Sequence, residues 1–190
     1  MLDYNILKVI SKISDDPKVK SITNSLNPNQ QNSKNWLVTE SLKYFQAFEQ
    51  PKFLVAAGWY GLLADKLTEF GTSMSFDKDP ECAEIGKKLY PNVKFKTYDM
   101  ADFRNLKEYN VIVCTSCEHI EQDLLNEFLA RREKSESLVI LQSNNYYKLP
   151  EHINCVEDED EFESKLKLKM THFKGSLQCD GFKRFMIIGA

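Results

Sequence analysis

Two glycines stand in the run Ala57-Gly58-Trp59-Tyr60-Gly61, between a β-rich stretch and a helical pattern that begins near Leu62. Small residues at such a junction let the backbone approach a ligand while the helix N-terminus faces it. A glycine turn also serves merely to reverse the chain, and two glycines fall short of the full G-x-G-x-x-G pattern. Asp77 narrows the choice. It closes the next β-rich run, in Ser75-Phe76-Asp77-Lys78-Asp79-Pro80, and follows Gly58 by 77 − 58 = 19 residues, close to the roughly 20 expected of an acid that accepts hydrogen bonds from a ribose. Asp79 and Pro80 suit the N-cap and first position of a helix, which leaves Asp77 free for a ligand. A third acid, Asp99, precedes Met100 beyond a third run. There a carboxylate can receive an adenine amino group while the methionine packs near the ring. Three such positions at successive strand ends converge on the edge of an open sheet where ligands bind, so a nucleoside-bearing ligand is expected.

A fourth run leads into Cys114-Thr115-Ser116-Cys117-Glu118-His119. Glu118 and His119 can orient or deprotonate a reacting group, since histidine titrates near neutral pH. The plainer alternative makes Thr115 and Ser116 caps, with Glu118 and His119 partly exposed in a loop. The fifth run ends in Gln142-Ser143-Asn144-Asn145-Tyr146-Tyr147, whose amides and phenols offer donors and acceptors to a polar planar molecule. Asn144 joins Glu118 and His119 as a candidate catalytic residue. The Cys114-x-x-Cys117 spacing suits neither redox chemistry, which wants an exposed cysteine at a helix N-terminus, nor structural zinc, which wants four ligands. Only His119, His152 and Cys155 are at hand to complete a set, so no metal is expected.

The elements that position these residues follow from pattern. β-rich runs at 53–57, 73–76, 93–97, 111–115 and 138–142 alternate with helical patterns at 62–70, 82–89 and around Leu124, Leu125, Phe128 and Leu129, which predicts βαβ units and a parallel sheet. Runs at 166–173 and 182–188, joined through Gly175 and Gly181 without a helix between, predict an antiparallel terminal pair. The acidic run 157–161 opens a helix containing Phe162 and Leu166, where it complements the helix dipole. Before Pro51 the chain reads as a helical preface: Leu2, Ile6, Val9, Ile10 and Ile13 at steps of three and four, a polar loop over 25–33, then a helix carrying Trp36, Leu37, Leu42, Phe45 and Phe48. Trp36, Leu37 and Phe45 are expected to pack on the core and help wall the reacting end of the site.

On Gly58, Gly61, Asp77 and Asp99 the chain resembles class I S-adenosylmethionine-dependent methyltransferases over about residues 52–190. That resemblance implies a Rossmann-like α/β fold, a mostly parallel seven-stranded sheet with an antiparallel C-terminal strand, here with an N-terminal helical extension. It implies S-adenosylmethionine as cofactor, held by Ala57, Gly58, Trp59, Tyr60, Gly61, Asp77, Lys78, Asp99, Met100, Thr115 and Ser116. Glu118, His119 and Asn144 would act beside the transferable methyl, on an N or O of an acceptor. The runs Gly58-Trp59-Tyr60-Gly61, Thr115-Ser116-Cys117-Glu118-His119 and Gln142-Ser143-Asn144-Asn145-Tyr146 look like small methyltransferase-like proteins of bacteriophages. One departure stands out: the family carries an acid just before its glycine turn, and this chain has Val55-Ala56-Ala57. The contact to the methionine amino group must then come from elsewhere, or the ligand is altered. This keeps open a lyase or aminocarboxypropyl transfer with the same cofactor, or a non-catalytic binding module. A nicotinamide dehydrogenase fits less well, for want of the third glycine and of room for a substrate domain.

Composition agrees with one globular domain of 190 residues, 1–50 as preface and 52–190 as core, with 42% hydrophobic and 28% charged residues. A net charge of −3 supplies no positive field for nucleic acid, leaving only a local patch as a route to it. Apolar runs are too short to span a bilayer, no secretory signal opens the chain, and five cysteines suit reduced buried thiols. A cytoplasmic setting is expected, that of the host if the chain is phage-encoded.

Overall fold

The computed structural model describes residues 4–14, 16–132 and 137–190, without the side chains of residues 5, 6, 9, 10 and 13. Three helices come first: α1 (Tyr4–Ile13), α2 (Pro17–Ser25) and α3 (Pro28–Phe45). The apolar face expected of Leu2, Ile6, Val9, Ile10 and Ile13 falls on residues or side chains outside the described set. The polar stretch expected as a loop over 25–33 is corrected. Helix α3 already starts at Pro28, because Asn27 accepts a hydrogen bond from the Gln30 amide at 2.9 Å and proline occupies the first helical position. Its polar residues are not solvent-facing filler, since Ser33 and Lys34 are buried.

The sheet comprises β1 (Lys52–Ala56), β2 (Thr72–Asp77), β3 (Lys94–Thr97), β4 (Val111–Cys114), β5 (Leu138–Asn144), β6 (Thr171–Cys179) and β7 (Phe182–Gly189), in the order β3-β2-β1-β4-β5-β7-β6. Strands β1 to β5 are parallel, and β7 runs antiparallel to both β5 and β6. Helices α4 (Leu62–Leu67), α5 (Pro80–Leu89), α6 (Gln122–Ala130) and α7 (Glu159–Lys165) complete the chain.

Because alternate strand residues point to opposite faces, β1 feeds two cores. Phe53 and Val55 meet Leu37 and Phe45 of α3 and Leu63 and Leu67 of α4, whereas Leu54 and Ala56 meet the cluster of Phe76, Leu125, Phe128 and Phe162. Leu37 and Phe45 therefore tie the preface to the core as expected, Phe45 packing edge-on against Phe53 with ring centroids 4.9 Å apart. Burial of side chains of this size stabilises by about 1.5–3 kcal/mol each.

The terminal hairpin is shifted from its expected limits. Residues 166–170 are not strand: Leu166 caps α7, and the amides of Lys169 and Met170 both donate to the Ala190 carbonyl. Gly175 lies inside β6 opposite Met186, and the turn is made by Asp180 and Gly181 alone, with Gly181 at φ +80°. Asp158 caps α7 by accepting from the Glu161 amide at 2.8 Å, so the acidic run does open a helix.

Candidate active site

The order of strands reverses between β1 and β4, and the carboxyl ends of such neighbours form the crevice where open α/β sheets bind ligands. On one side is the glycine turn. Gly58 donates to Phe76 O, Trp59 to Asp77 Oδ2 at 3.1 Å and Gly61 to Gly58 O, so three of its amides are engaged within the protein. Few then remain to cradle a pyrophosphate in the manner of dinucleotide folds. Ala57 and Trp59 sit at φ +49° and +51°, a conformation that costs residues with a Cβ on the order of 1–3 kcal/mol and that clusters at ligand sites. Gly58 and Gly61 are required sterically: a Cβ would lie 2.1 Å from Ser75 Oγ at the first and 2.4 Å from the Phe95 ring at the second.

Asp77 is not free of protein contacts, as the sequence alone would have it. Its Oδ1 accepts from the Asp79 amide at 3.2 Å while its Oδ2 holds Trp59. Each carboxylate oxygen has a second lone pair, so the side chain ties the turn to β2 and keeps capacity for ribose hydroxyls. Asp79 caps α5 as expected, through the Glu81 amide. Lys78 is exposed, Asp99 is exposed with Oδ1 on the Ala101 amide, and Met100 is buried in the core. Tyr60 is buried, stacks on Trp59 and donates to Ser21 Oγ of α2, while Lys18 pairs with Glu81. Helix α2 thus lies across the glycine turn and the start of α5. Ser116 occupies the cap position of the short turn Cys117–His119 but does not cap it; its hydroxyl bridges the crevice to Ala57 O at 3.4 Å. Thr115 is buried, its carbonyl held by Arg184.

On the other side Glu118 departs from the exposed-loop alternative. It is 3% exposed, and its Oε1 accepts from Asn144 Nδ2 at 2.6 Å and from Arg184 at 3.4 Å. Asn144 is itself buried and fully engaged, its Oδ1 accepting from the Tyr146 amide. It orients Glu118 instead of lining open space. His119 is exposed, with Nδ1 3.1 Å from the Glu151 carbonyl. Cys114 and Cys117 are buried free thiols, and burial raises the Cys117 thiol well above its usual range, so Cys117 has no thiolate character.

Sequence reasoning missed four buried polar partners. Ser33 donates to Gln142 Oε1 at 3.0 Å, Lys34 donates to Gln30, and Arg184 joins Glu118. Burial, reinforced by Arg184 and opposed by Glu118, pulls the Lys34 ammonium down to about 7. Between about pH 7 and 10.5 the unfolded chain therefore holds a proton that the folded one lacks, and stability rises with pH across that window. Lys34→Met should stabilise the protein by a few kcal/mol below pH 7, at roughly 1.4 kcal/mol for each tenfold loss of proton affinity on folding, with the gain fading toward pH 10. Urea unfolding of both proteins at about pH 6 and about pH 10 checks this; a gain independent of pH would contradict it. A cleft of about 180 Å³ is lined by Met74, Lys96, Tyr98, Phe103 and Tyr109 on the β2–β3 flank.

No family model matches the chain, and no curated protein matches it in sequence. Solved structures do match in shape. N-methyltransferase NodS from Bradyrhizobium japonicum WM9, in complex with S-adenosyl-L-homocysteine, is 12% identical with a TM-score of 0.70, covering 98% of this chain and 97% of that one. Magnesium protoporphyrin IX methyltransferase (ChlM) from Synechocystis PCC 6803, with bound SAH, is 10% identical with a TM-score of 0.67, covering 92% and 87%. An S-adenosylmethionine-dependent methyltransferase from Clostridium acetobutylicum ATCC 824 is 14% identical with a TM-score of 0.67, covering 90% and 96%. At such identities the likeness is one of fold, and the chain has the Rossmann-like seven-stranded fold of these methyltransferases.

Proposed function

We propose that the chain, as one domain, binds S-adenosylmethionine at the β1–β4 crevice and transfers its methyl group to a nitrogen or oxygen of an acceptor. The observation that carries this reading is the glycine turn locked to Asp77 at the point where strand order reverses. That arrangement offers a carboxylate for ribose, and the neighbouring strand end offers Asp99 for adenine. Glu118 and His119 stand beyond β4 on the acceptor side. The acceptor's lone pair attacks the sulfonium methyl in line, S-adenosylhomocysteine leaves, and positioning supplies most of the rate. The turn's engaged amides favour a sulfur nucleoside over a dinucleotide.

Ala56, fully buried where the resemblance leads one to expect an acid, favours a second reading: another reaction of the same cofactor. Product analysis separates the two, because only methyl transfer yields S-adenosylhomocysteine. Among the described residues no helix is long and apolar enough to cross a membrane. We place the protein in the cytoplasm, that of the host if it is phage-encoded, with a small molecule or a macromolecule as acceptor.

S-adenosylmethionine or S-adenosylhomocysteine at a hundred times its dissociation constant should stabilise the fold by about 2.7 kcal/mol, and NAD should not. A melting series with the three ligands tests this. Equal stabilisation by NAD, or none by either sulfur nucleoside, would overturn the assignment.

A further inference from the structure

We infer that Glu118, His119 and His152 form a binding site for one divalent transition-metal ion, beside the crevice and independent of the sulfur nucleoside. One potential ligand atom from each of the three lies within 4.8 Å of the others. The histidine rings stand edge to face with centroids 4.5 Å apart. Each presents Nδ1 to a backbone carbonyl, His119 to Glu151 O at 3.1 Å and His152 to Tyr146 O at 2.6 Å. A carbonyl only accepts, so a neutral ring in either place donates through Nδ1, and Nε2 is the nitrogen left to ligate a metal. This is the arrangement that orients histidines for metal ligation.

The second observation is Glu118 itself. While Oε1 is taken by Asn144 and Arg184, Oε2 is buried and has no hydrogen-bond partner. An orphaned carboxylate oxygen in a nine-tenths-buried side chain calls for a cation or donor that the protein does not supply. The Arg184 guanidinium, on Oε1, offsets part of the carboxylate charge and moderates affinity without occupying the second oxygen. Cys155 Sγ approaches His152 on its Nδ1 side, 3.9 Å away, and so is not a fourth ligand. Ligand distances of about 2.0–2.2 Å require the three groups to close by about an ångström, which the exposed His119 side chain can supply.

Two imidazoles and a carboxylate select zinc, cobalt, iron or manganese over magnesium or calcium, and three protein ligands leave positions open. If methyl transfer is also right, the ligand for an open position is an acceptor oxygen, which the ion would make a better nucleophile. That extension rests on the proposed function; the metal site does not.

The test uses the full chain without a histidine tag, titrated with zinc by calorimetry and with cobalt by visible absorption. The expected result is one equivalent bound, with cobalt d–d bands and no thiolate-to-cobalt charge-transfer band. His119→Ala and His152→Ala should each weaken binding by about a hundredfold or more, beyond the 10–100-fold typical of lost outer-shell partners. His172→Ala, which removes the third histidine of the chain, should bind as wild type does. Because His119 is exposed, its variant is expected to fold, and a melting curve verifies that. Unchanged affinity in the folded His119→Ala protein, no stoichiometric binding, or a thiolate band would each overturn the site. None of these outcomes bears on S-adenosylhomocysteine binding, which is measured separately.

Discussion

Glu118→Ala lowers the melting temperature by roughly 6–20 °C. The carboxylate is 3% exposed and sits against Arg184, 5% exposed, with Lys34 buried nearby. Removing it leaves the Arg184 guanidinium in the interior without its counter-charge and drives Lys34 further toward its neutral form, and breaking a buried pair in this way costs about 3–5 kcal/mol. For a chain of this size each kcal/mol is worth about 2–4 °C. Two features mark the effect as electrostatic. Arg184→Met in the same background should recover much of the loss, because a buried pair replaced by apolar groups is often neutral. Asn144→Ala should cost less, since it removes hydrogen bonds to Glu118 and to the Tyr146 amide but no charge. Thermal melts of the four proteins provide the check, and a Glu118→Ala protein that melts within about 2 °C of wild type contradicts the paired interior described above.

The second large effect separates the two halves of the crevice. Asp77→Ala should weaken S-adenosylhomocysteine binding about tenfold to a hundredfold, because a hydrogen bond to a charged group is worth about 1.5–3 kcal/mol. The structure adds a reason beyond ribose contact: Asp77 also holds the Trp59 amide, so its loss loosens the turn itself. Asp77→Asn, which keeps an oxygen acceptor, should fall between wild type and alanine. His119→Ala should leave nucleoside affinity nearly intact and lower turnover, by about a hundredfold or more if its ring takes a proton from the acceptor and by less if it positions the acceptor, directly or as a metal ligand. Calorimetry with S-adenosylhomocysteine measures the first effect without knowledge of the acceptor. If His119→Ala loses the nucleoside while Asp77→Ala keeps it, the two halves are assigned the wrong way round.

Residues 52–142 are legible because the determinants there are local. Phe53 to Ala56 are buried on both faces and read as a continuous apolar run, and the Asp79-Pro80 step announces α5. The start of α3 is hidden because polarity there does not mean exposure. Ser33 is interior through its hydrogen bond to Gln142, 109 residues away, and Lys34 lies within the electrostatic reach of the Glu118–Arg184 pair. No window of sequence contains such a network. The Asn27-Pro28 step is the available signal, being a cap followed by a first-turn proline. The same non-locality hides the character of Glu118, whose partner Arg184 lies on β7, 66 residues downstream. It also hides that His152, named in the sequence only as one of the residues at hand for a metal set, packs against His119. In the terminal hairpin, Gly175 reads as a turn because a glycine inside a strand is uncommon; Phe173 fills the space its side chain would take.

The central claim, an S-adenosyl group seated at the β1–β4 crevice, is tested most directly by a crystal structure of the protein with S-adenosylhomocysteine. The expected density has the ribose hydroxyls on Asp77, the adenine beside Asp99, and the sulfur directed toward Ser116 and Glu118. Nucleoside density elsewhere, or a crevice left without it at saturating ligand, contradicts the claim.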